Sequence, residues 1–234
     1  MLRVESLNQY YGGSHTLRDI SLQVPAGQCT CIMGRNGVGK TTLLDVIMGL
    51  LPIRTGLLQF EAPEAGPLDL AGAPAERRAA LGIGYVPQGR MIFPQLTVAE
   101  NLELPLRAAR LRSVPERIYE LFPVLAEMAN RRGGDLSGGQ QQQLAIARAL
   151  VLDPVLLILD EPCEGIAPNI VADIGTVLSR LCKEQGMTLL LVEQKLPFAR
   201  RVADGFIMLE RGAVVAQGKM DALDAPLIDR YLKV

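Results

Sequence analysis

Short runs of alternating apolar and polar positions fill the first sixty residues. Residues 2–7, 20–24, 29–33 and 56–60 each predict a β-strand. Pro25-Ala26-Gly27 predicts a turn between two of them. A helix is expected over 42–50, stopped by Pro52. Residues 61–75 are rich in Pro, Gly and Ala and predict a surface connection. Residues 83–86 return to strand character. From residue 98 to 128 the period becomes helical, with Pro105, Pro115 and Pro123 expected to break it into pieces. A helix is predicted over 139–150. Residues 155–159 and 188–192 are continuous apolar runs, the mark of parallel strands buried on both faces. A helix is expected between them over 169–184. Residues 205–210 and 213–217 predict a hairpin around Arg211-Gly212. The pattern as a whole predicts an α/β core, an antiparallel β portion near the N-terminus and a helical insertion.

Composition narrows the classes. The chain has 234 residues, ample for a buried core, and a formal net charge of −1. That balance lacks the basic footprint of a nucleic-acid binder. No apolar run approaches the roughly 18 residues of a membrane span, and the first residues carry no signal-peptide core. The chain is therefore expected to be soluble by itself and to reach a membrane only through a partner. Little chain follows Gly212, so no added regulatory domain is expected. Cys29, Cys31, Cys163 and Cys182 show no metal spacing and are expected as buried free thiols in a reducing cytoplasm. With His15 the single histidine, imidazole-based metal catalysis is excluded.

Gly34-Arg35-Asn36-Gly37-Val38-Gly39-Lys40-Thr41 completes the pattern G-x-x-x-x-G-K-[ST] between a predicted strand and a predicted helix. Its glycines let backbone amides wrap phosphates. Lys40 would reach the β- and γ-phosphates, and the Thr41 hydroxyl would meet Mg²⁺. Asp160 emerges from a buried apolar strand, at the strand end where ligands of open α/β sheets sit, and is the expected metal-holding carboxylate. Glu161, one residue further, is placed near the attacking water as general base. Gln88 follows the strand over 83–86 and could touch both metal and water. Tyr11 precedes Gly12-Gly13 and could stack on a purine. Leu136-Ser137-Gly138-Gly139-Gln140 offers a hydroxyl and bare glycine amides at a helix N-terminus, a second phosphate-holding element.

Taken together and in this order, these residues resemble the ATP-binding cassette family, the ATPase subunits of ABC transporters. Tyr11 matches the adenine-stacking aromatic, residues 34–42 (through Thr42) the Walker A motif, Gln88 the Q-loop, residues 136–140 the signature, and residues 156–161 the Walker B motif with its catalytic glutamate. The resemblance implies an α/β fold: a RecA-like P-loop core with an antiparallel β subdomain (about 1–88 and 151–234) and an inserted α-helical subdomain (about 89–150), all one ABC ATPase domain. It implies ATP and Mg²⁺ as cofactors, with Thr41, Gln88 and Asp160 on the metal. It implies transmembrane permease subunits and a second ABC ATPase as partners, a solute-binding protein acting indirectly, and a peripheral place on the cytoplasmic face of the cell membrane. In such a pair Ser137, Gly138, Gly139 and Gln140 face the nucleotide of the opposite subunit. The segment 90–93 is expected to line the groove for a permease helix.

Within the family the chain is most similar to the importers of branched-chain amino acids and of urea or amides. Gly34-Arg35-Asn36-Gly37, Tyr85-Val86-Pro87-Gln88-Gly89-Arg90 and Glu161-Pro162-Cys163-Glu164-Gly165-Ile166-Ala167-Pro168 carry that likeness. Residues 191–199 look most like the urea-type subunit, so urea or a short amide is the expected solute, with branched-chain amino acids as the alternative. That branch implies a heterodimer of two ATPases. Two residues depart from the common family pattern. Gln194 stands where most members place a γ-phosphate-contacting histidine; it can donate a hydrogen bond but carries no titrating charge. Ala167 stands where an aspartate that communicates across the dimer is usual. A repair or ribosomal ATPase is disfavoured by the absence of long coiled coils or a second cassette, and a non-hydrolysing regulatory subunit by the presence of Glu161.

Overall fold

The computed structural model describes residues 1–62, 66–109 and 111–232. The elements run β1 (Leu2–Tyr11), β2 (Ser14–Val24), β3 (Cys29–Met33), α1 (Lys40–Met48), β4 (Thr55–Ala62), β5 (Gly66–Asp69), α2 (Ala75–Ala80), β6 (Ile83–Val86), α3 (Val98–Ala109), α4 (Glu116–Leu121), α5 (Pro123–Glu127), α6 (Gly138–Leu150), β7 (Leu156–Asp160), α7 (Pro168–Gln185), β8 (Thr188–Val192), α8 (Leu196–Val202), β9 (Gly205–Glu210), β10 (Ala213–Lys219) and α9 (Ala225–Tyr231).

Two sheets organise the chain. A six-stranded sheet has the order β10-β9-β3-β8-β7-β6, parallel except for the β9–β10 hairpin. A four-stranded antiparallel sheet has the order β2-β1-β4-β5. The strict period of two sorts the central strands onto two cores. Leu157, Leu159, Leu189 and Leu191, with Cys29, Cys31 and Met33, face the side packed by α3 and α6–α8. Leu156, Ile158, Leu190, Val192 and Ile32 face the side packed by α1 and the antiparallel sheet. All four cysteines are buried free thiols, and burial pushes their ionisation up.

The differences from expectation are local. Part of the expected surface connection over 61–75 is the strand β5, paired with β4 from Gln59↔Asp69 to Ala62↔Gly66; residues 63–65 lie outside the described set. Backbone pairing with a neighbouring edge supplied what composition did not signal. Helix α1 ends not at Pro52 but at Gly49, whose left-handed backbone (φ 76°) closes the last turn on the Asp45 and Val46 carbonyls. Pro115 and Pro123 do stand at helix starts. Pro105 instead lies within α3. Val98, Leu102 and Leu106 are fully or nearly fully buried along one face of that helix, and their packing outweighs the missing amide donor. Among the described residues no helix is long and apolar enough to cross a membrane.

Candidate nucleotide site

The site sits at the carboxyl ends of β3, β7 and β8. Helix α1 begins inside the phosphate loop, at Lys40. The loop bends through left-handed glycines, and Gly34 (φ 148°) tolerates no side chain, because a Cβ there would lie 2.5 Å from the Leu209 carbonyl oxygen. Lys40 is 5% exposed. Its ammonium donates to the carbonyls of Gly34 (2.9 Å) and Arg35 (3.0 Å) and lies 3.5 Å from Glu161 Oε1. The loop thus encircles the charge that would neutralise phosphate. Arg35, Asn36 and Gly37 are exposed at its rim, Val38 is half-buried and Gly39 is packed against Leu17 of β2. Thr42 is half-buried on α1.

Asp160 ends β7 and is 2% exposed. Its Oδ2 accepts from the Thr41 hydroxyl at 3.1 Å, while Oδ1 is buried with no hydrogen-bond partner. Burial pushes its carboxyl up to about 6, against the pull of the Thr41 hydrogen bond, and Glu161 adds to the rise. A buried carboxylate with one orphaned oxygen beside a threonine hydroxyl is a donor set that fits a hard divalent cation. Among the described residues no three His, Cys, Asp or Glu side chains cluster to hold a resident metal.

Glu161 has a left-handed backbone (φ 48°), rare for a residue with a side chain, and its N–H donates to the Val192 carbonyl at 2.9 Å. Gln194, just past β8, bridges two motifs. Its amide nitrogen donates to Glu161 Oε1 and to Asn36 Oδ1, each at 2.6 Å. The structure therefore brings Lys40, Thr41, Asp160, Glu161, Asn36 and Gln194 together.

Gln88, Tyr11 and the signature segment stand apart. Gln88 is exposed and donates to Glu164 Oε2 at 2.9 Å, so it does not join Thr41 and Asp160 here. The loop after β6 pairs with the loop after β7 and directs the glutamine there. Tyr11 is 49% exposed at the β1–β2 turn, and the stacked aromatic of that hairpin is Tyr10, against His15 at 4.2 Å. The signature segment starts α6 instead of lining this chain's phosphate loop. Ser137 is its N-cap: its Oγ accepts from the Gln140 N–H (3.3 Å), and Gln140 Oε1 accepts from the Ser137 N–H (2.9 Å). Ser137 is exposed. Gly138 lies under the Arg90 guanidinium, where a Cβ would sit 3.1 Å from Nη1. Gly139 lies against Ile170, where a Cβ would sit 2.9 Å from Cγ2. Arg90 donates to Gln141 Oε1 at 3.1 Å and reaches the Glu164 carbonyl at 3.5 Å. It thereby links the signature helix to the loop after Asp160. Ala167 is the exposed N-cap position of α7 and supplies no capping side chain. Arg90 was legible only as a groove residue. Its left-handed backbone (φ 70°), which turns it toward α6, has no sequence signal.

The family model for "ABC transporter" matches residues 17–164. The chain is 38% identical to the high-affinity branched-chain amino acid transport ATP-binding protein BraG of Pseudomonas aeruginosa, over 99% of each chain. It is 34% identical to a probable branched-chain amino acid transport ATP-binding protein, LivF, of Archaeoglobus fulgidus, over 95% of this chain and 94% of that one. Its fold superposes with a TM-score of 0.82 on the bacterial ABC transporter cassette MJ0796, solved as a dimer, at 28% identity over 94% of this chain and 99% of that one. The phosphate loop, the Walker B carboxylates and the signature helix thus stand in a matched family frame, and the chain belongs to the ABC transporter family as an ATP-hydrolysing subunit of its importer branch.

Proposed function

We propose that this subunit hydrolyses MgATP at a site shared between two cassettes and so drives import of an amino acid through separate permease subunits. The observation that carries the reading is the convergence of Lys40, Asp160–Thr41 and Glu161–Gln194 on one loop end. Lys40 neutralises the β- and γ-phosphates of ATP. Glu161 Oε1 accepts the proton of the attacking water, and Gln194 holds that carboxylate toward Asn36 and the phosphate loop. Tyr11 offers a free ring for adenine. Thr41 and Asp160 would hold Mg²⁺, with Gln88 reaching it once released from Glu164, and the ion would supply charge neutralisation at the phosphates.

The exposed Ser137 hydroxyl and the Gly138 and Gly139 amides of α6 are assigned to the nucleotide of the second cassette, a homologous chain or a copy of this one. Dimerisation of MJ0796 supports this reading. The helical subdomain is taken as residues 89–150, with core and β subdomain over 1–88 and 151–234. The exposed Met91 and Phe93 line the permease groove, and the subunit works at the cytoplasmic face of the membrane, with no nucleic acid and with a solute-binding protein acting through the permease. BraG and LivF are branched-chain amino acid transport ATP-binding proteins, which favours branched-chain amino acids over the urea or short amide that residues 191–199 suggest.

The test has two arms. ATP turnover is measured for wild type and Glu161→Gln, alone and with permease subunits. A loss of about 10²–10⁴-fold in the variant is expected, and wild type no faster than the variant would refute hydrolysis at this site. In vesicles carrying the complex, ATP-driven uptake of leucine but not urea is expected. The reverse result would restore the urea reading.

A further inference from the structure

A buried acid stands one residue before Gln194, outside every motif used so far. Glu193 is 3% exposed at the end of β8. Its Oε2 accepts the Gln194 N–H at 3.0 Å, its carboxyl faces the Cys163 thiol, and its Oε1 is buried without a partner. Among the described residues it forms no ion pair; the neighbouring Lys195 ammonium donates instead to the Cys163 carbonyl at 2.7 Å. An apolar residue of the same volume would be cheaper to bury than an unpaired carboxyl. Its presence calls for a role other than filling space.

Of the three consecutive residues after β8, two hydrogen-bond to the turn Glu161-Pro162-Cys163 and the first faces it. Glu193 faces the Cys163 thiol, Gln194 donates to the Glu161 carboxylate and Lys195 donates to the Cys163 carbonyl. That turn is the one whose first residue has a left-handed backbone. A non-glycine residue keeps such a conformation only when its surroundings over-determine it.

We propose that Glu193 is a positioning residue for hydrolysis: its buried carboxyl holds the Gln194 amide and the facing Cys163 thiol together, and so keeps the Glu161 carboxylate where it can take the proton of the attacking water. The proposal rests on the reading of Glu161 as general base.

The test compares kcat, KM for ATP and melting temperature of the full chain for wild type, Glu193→Leu, Glu193→Gln, Cys163→Ala, Cys163→Ser and Glu161→Gln. Glu193→Leu keeps volume but no acceptor. Its kcat is expected to fall about ten-fold or more, with KM within about two-fold and no loss of melting temperature. Glu193→Gln keeps an acceptor for both donors and is expected to stay within about three-fold of wild-type kcat. A wild-type kcat in Glu193→Leu overturns the proposal, as does an equal loss in Glu193→Gln. Should Glu193→Leu fail to fold, the decision passes to Cys163. Alanine, without a donor, is expected to lower kcat and serine to restore it; two equal rates overturn the proposal. If Glu161→Gln itself keeps full turnover, the general-base reading fails. If it is inactive while Glu193→Leu is not, only the positioning role fails.

Discussion

Replacing Gln194 with alanine removes the two 2.6 Å hydrogen bonds that join Glu161 to Asn36. One acceptor is a carboxylate, and a hydrogen bond to a charged group contributes about 1.5–3 kcal/mol net. If that orientation is expressed in the transition state, kcat falls about 10- to 150-fold. The bond to Asn36 acts on the loop that binds nucleotide. It is a neutral pair worth about 0.5–1.5 kcal/mol, so KM should rise only a few-fold. Without the bridge, the nearest partner of the Glu161 carboxylate is Lys40, at 3.5 Å. Drawn toward that ammonium, the base moves away from the water it should activate. Gln194→Glu makes a sharper case, because it sets a second carboxyl against Glu161 Oε1 in place of a donor. Two carboxylates that close cannot both ionise near neutral pH, so activity should fall below that of the alanine variant. The assay is initial rate against ATP concentration at fixed excess Mg²⁺, with melting temperature as the control for folding. A Gln194→Ala enzyme within two-fold of wild-type kcat, or a Gln194→Glu enzyme as active as wild type, would refute the bridging argument.

Two further predictions concern stability. Arg78 is 2% exposed and donates to four carbonyls: Ala73 (2.8 Å), Val46 and Ile47 (2.7 Å each) and Leu70 (2.5 Å), two of them at the C-terminal end of α1. Arg78→Leu strands those acceptors and should cost about 4 kcal/mol, part of the loss being recovered by water, which lowers the melting temperature by about 8–16 °C. A shift under about 3 °C would show that the guanidinium is dispensable. The Glu193 carboxyl is raised above its ordinary range, chiefly by burial, with Cys163, Gln194 and Lys195 opposing and Glu161 adding. A folded-state value above the unfolded one means that its stability contribution is full below about pH 4 and is lost as pH rises through the folded value. The gain in melting temperature from Glu193→Gln should therefore grow as pH rises above about 4; a gain independent of pH would refute that sign.

Much of this was legible because motif chemistry and burial pattern coincide along the chain. Val155 to Asp160 announces a strand by its apolar run and a ligand by the acid that ends it. Lys40 and Thr41 follow a strand and open a helix, so their sequence spacing already fixes their spatial relation. What could not be read depends on contacts across the chain. Strand β5 has no apolar run of its own and exists through pairing with β4. Helix α2 is only six residues long, and its one buried side chain, Arg78, is of a type usually placed outside. Gln88 was assigned to metal from its position after β6, yet a carboxylate from the loop after β7, Glu164, competes for it. Glu193 has no sequence signal, since an acid beside a glutamine at a strand end has the pattern of solvated surface, yet it is buried.

The replacement of the common histidine by Gln194 changes more than charge. A glutamine amide has two N–H groups, and here both are committed, one to Glu161 and one to Asn36. A γ-phosphate oxygen can then be contacted by this side chain only if one donor is released. Asn36 is exposed on the phosphate loop, so its bond gives way at less cost than the half-buried, charge-assisted bond to Glu161. Release from Asn36 leaves Gln194 pointing one donor at phosphate and the other at the base. On the proposed mechanism that arrangement would couple the γ-phosphate directly to the carboxylate that activates the attacking water, with no proton moved on Gln194. An imidazole in this position could do the same only through its protonation state, since a neutral ring has one donor and not two. On the proposed mechanism the glutamine would tie arrival of nucleotide to alignment of Glu161 without a titrating group of its own.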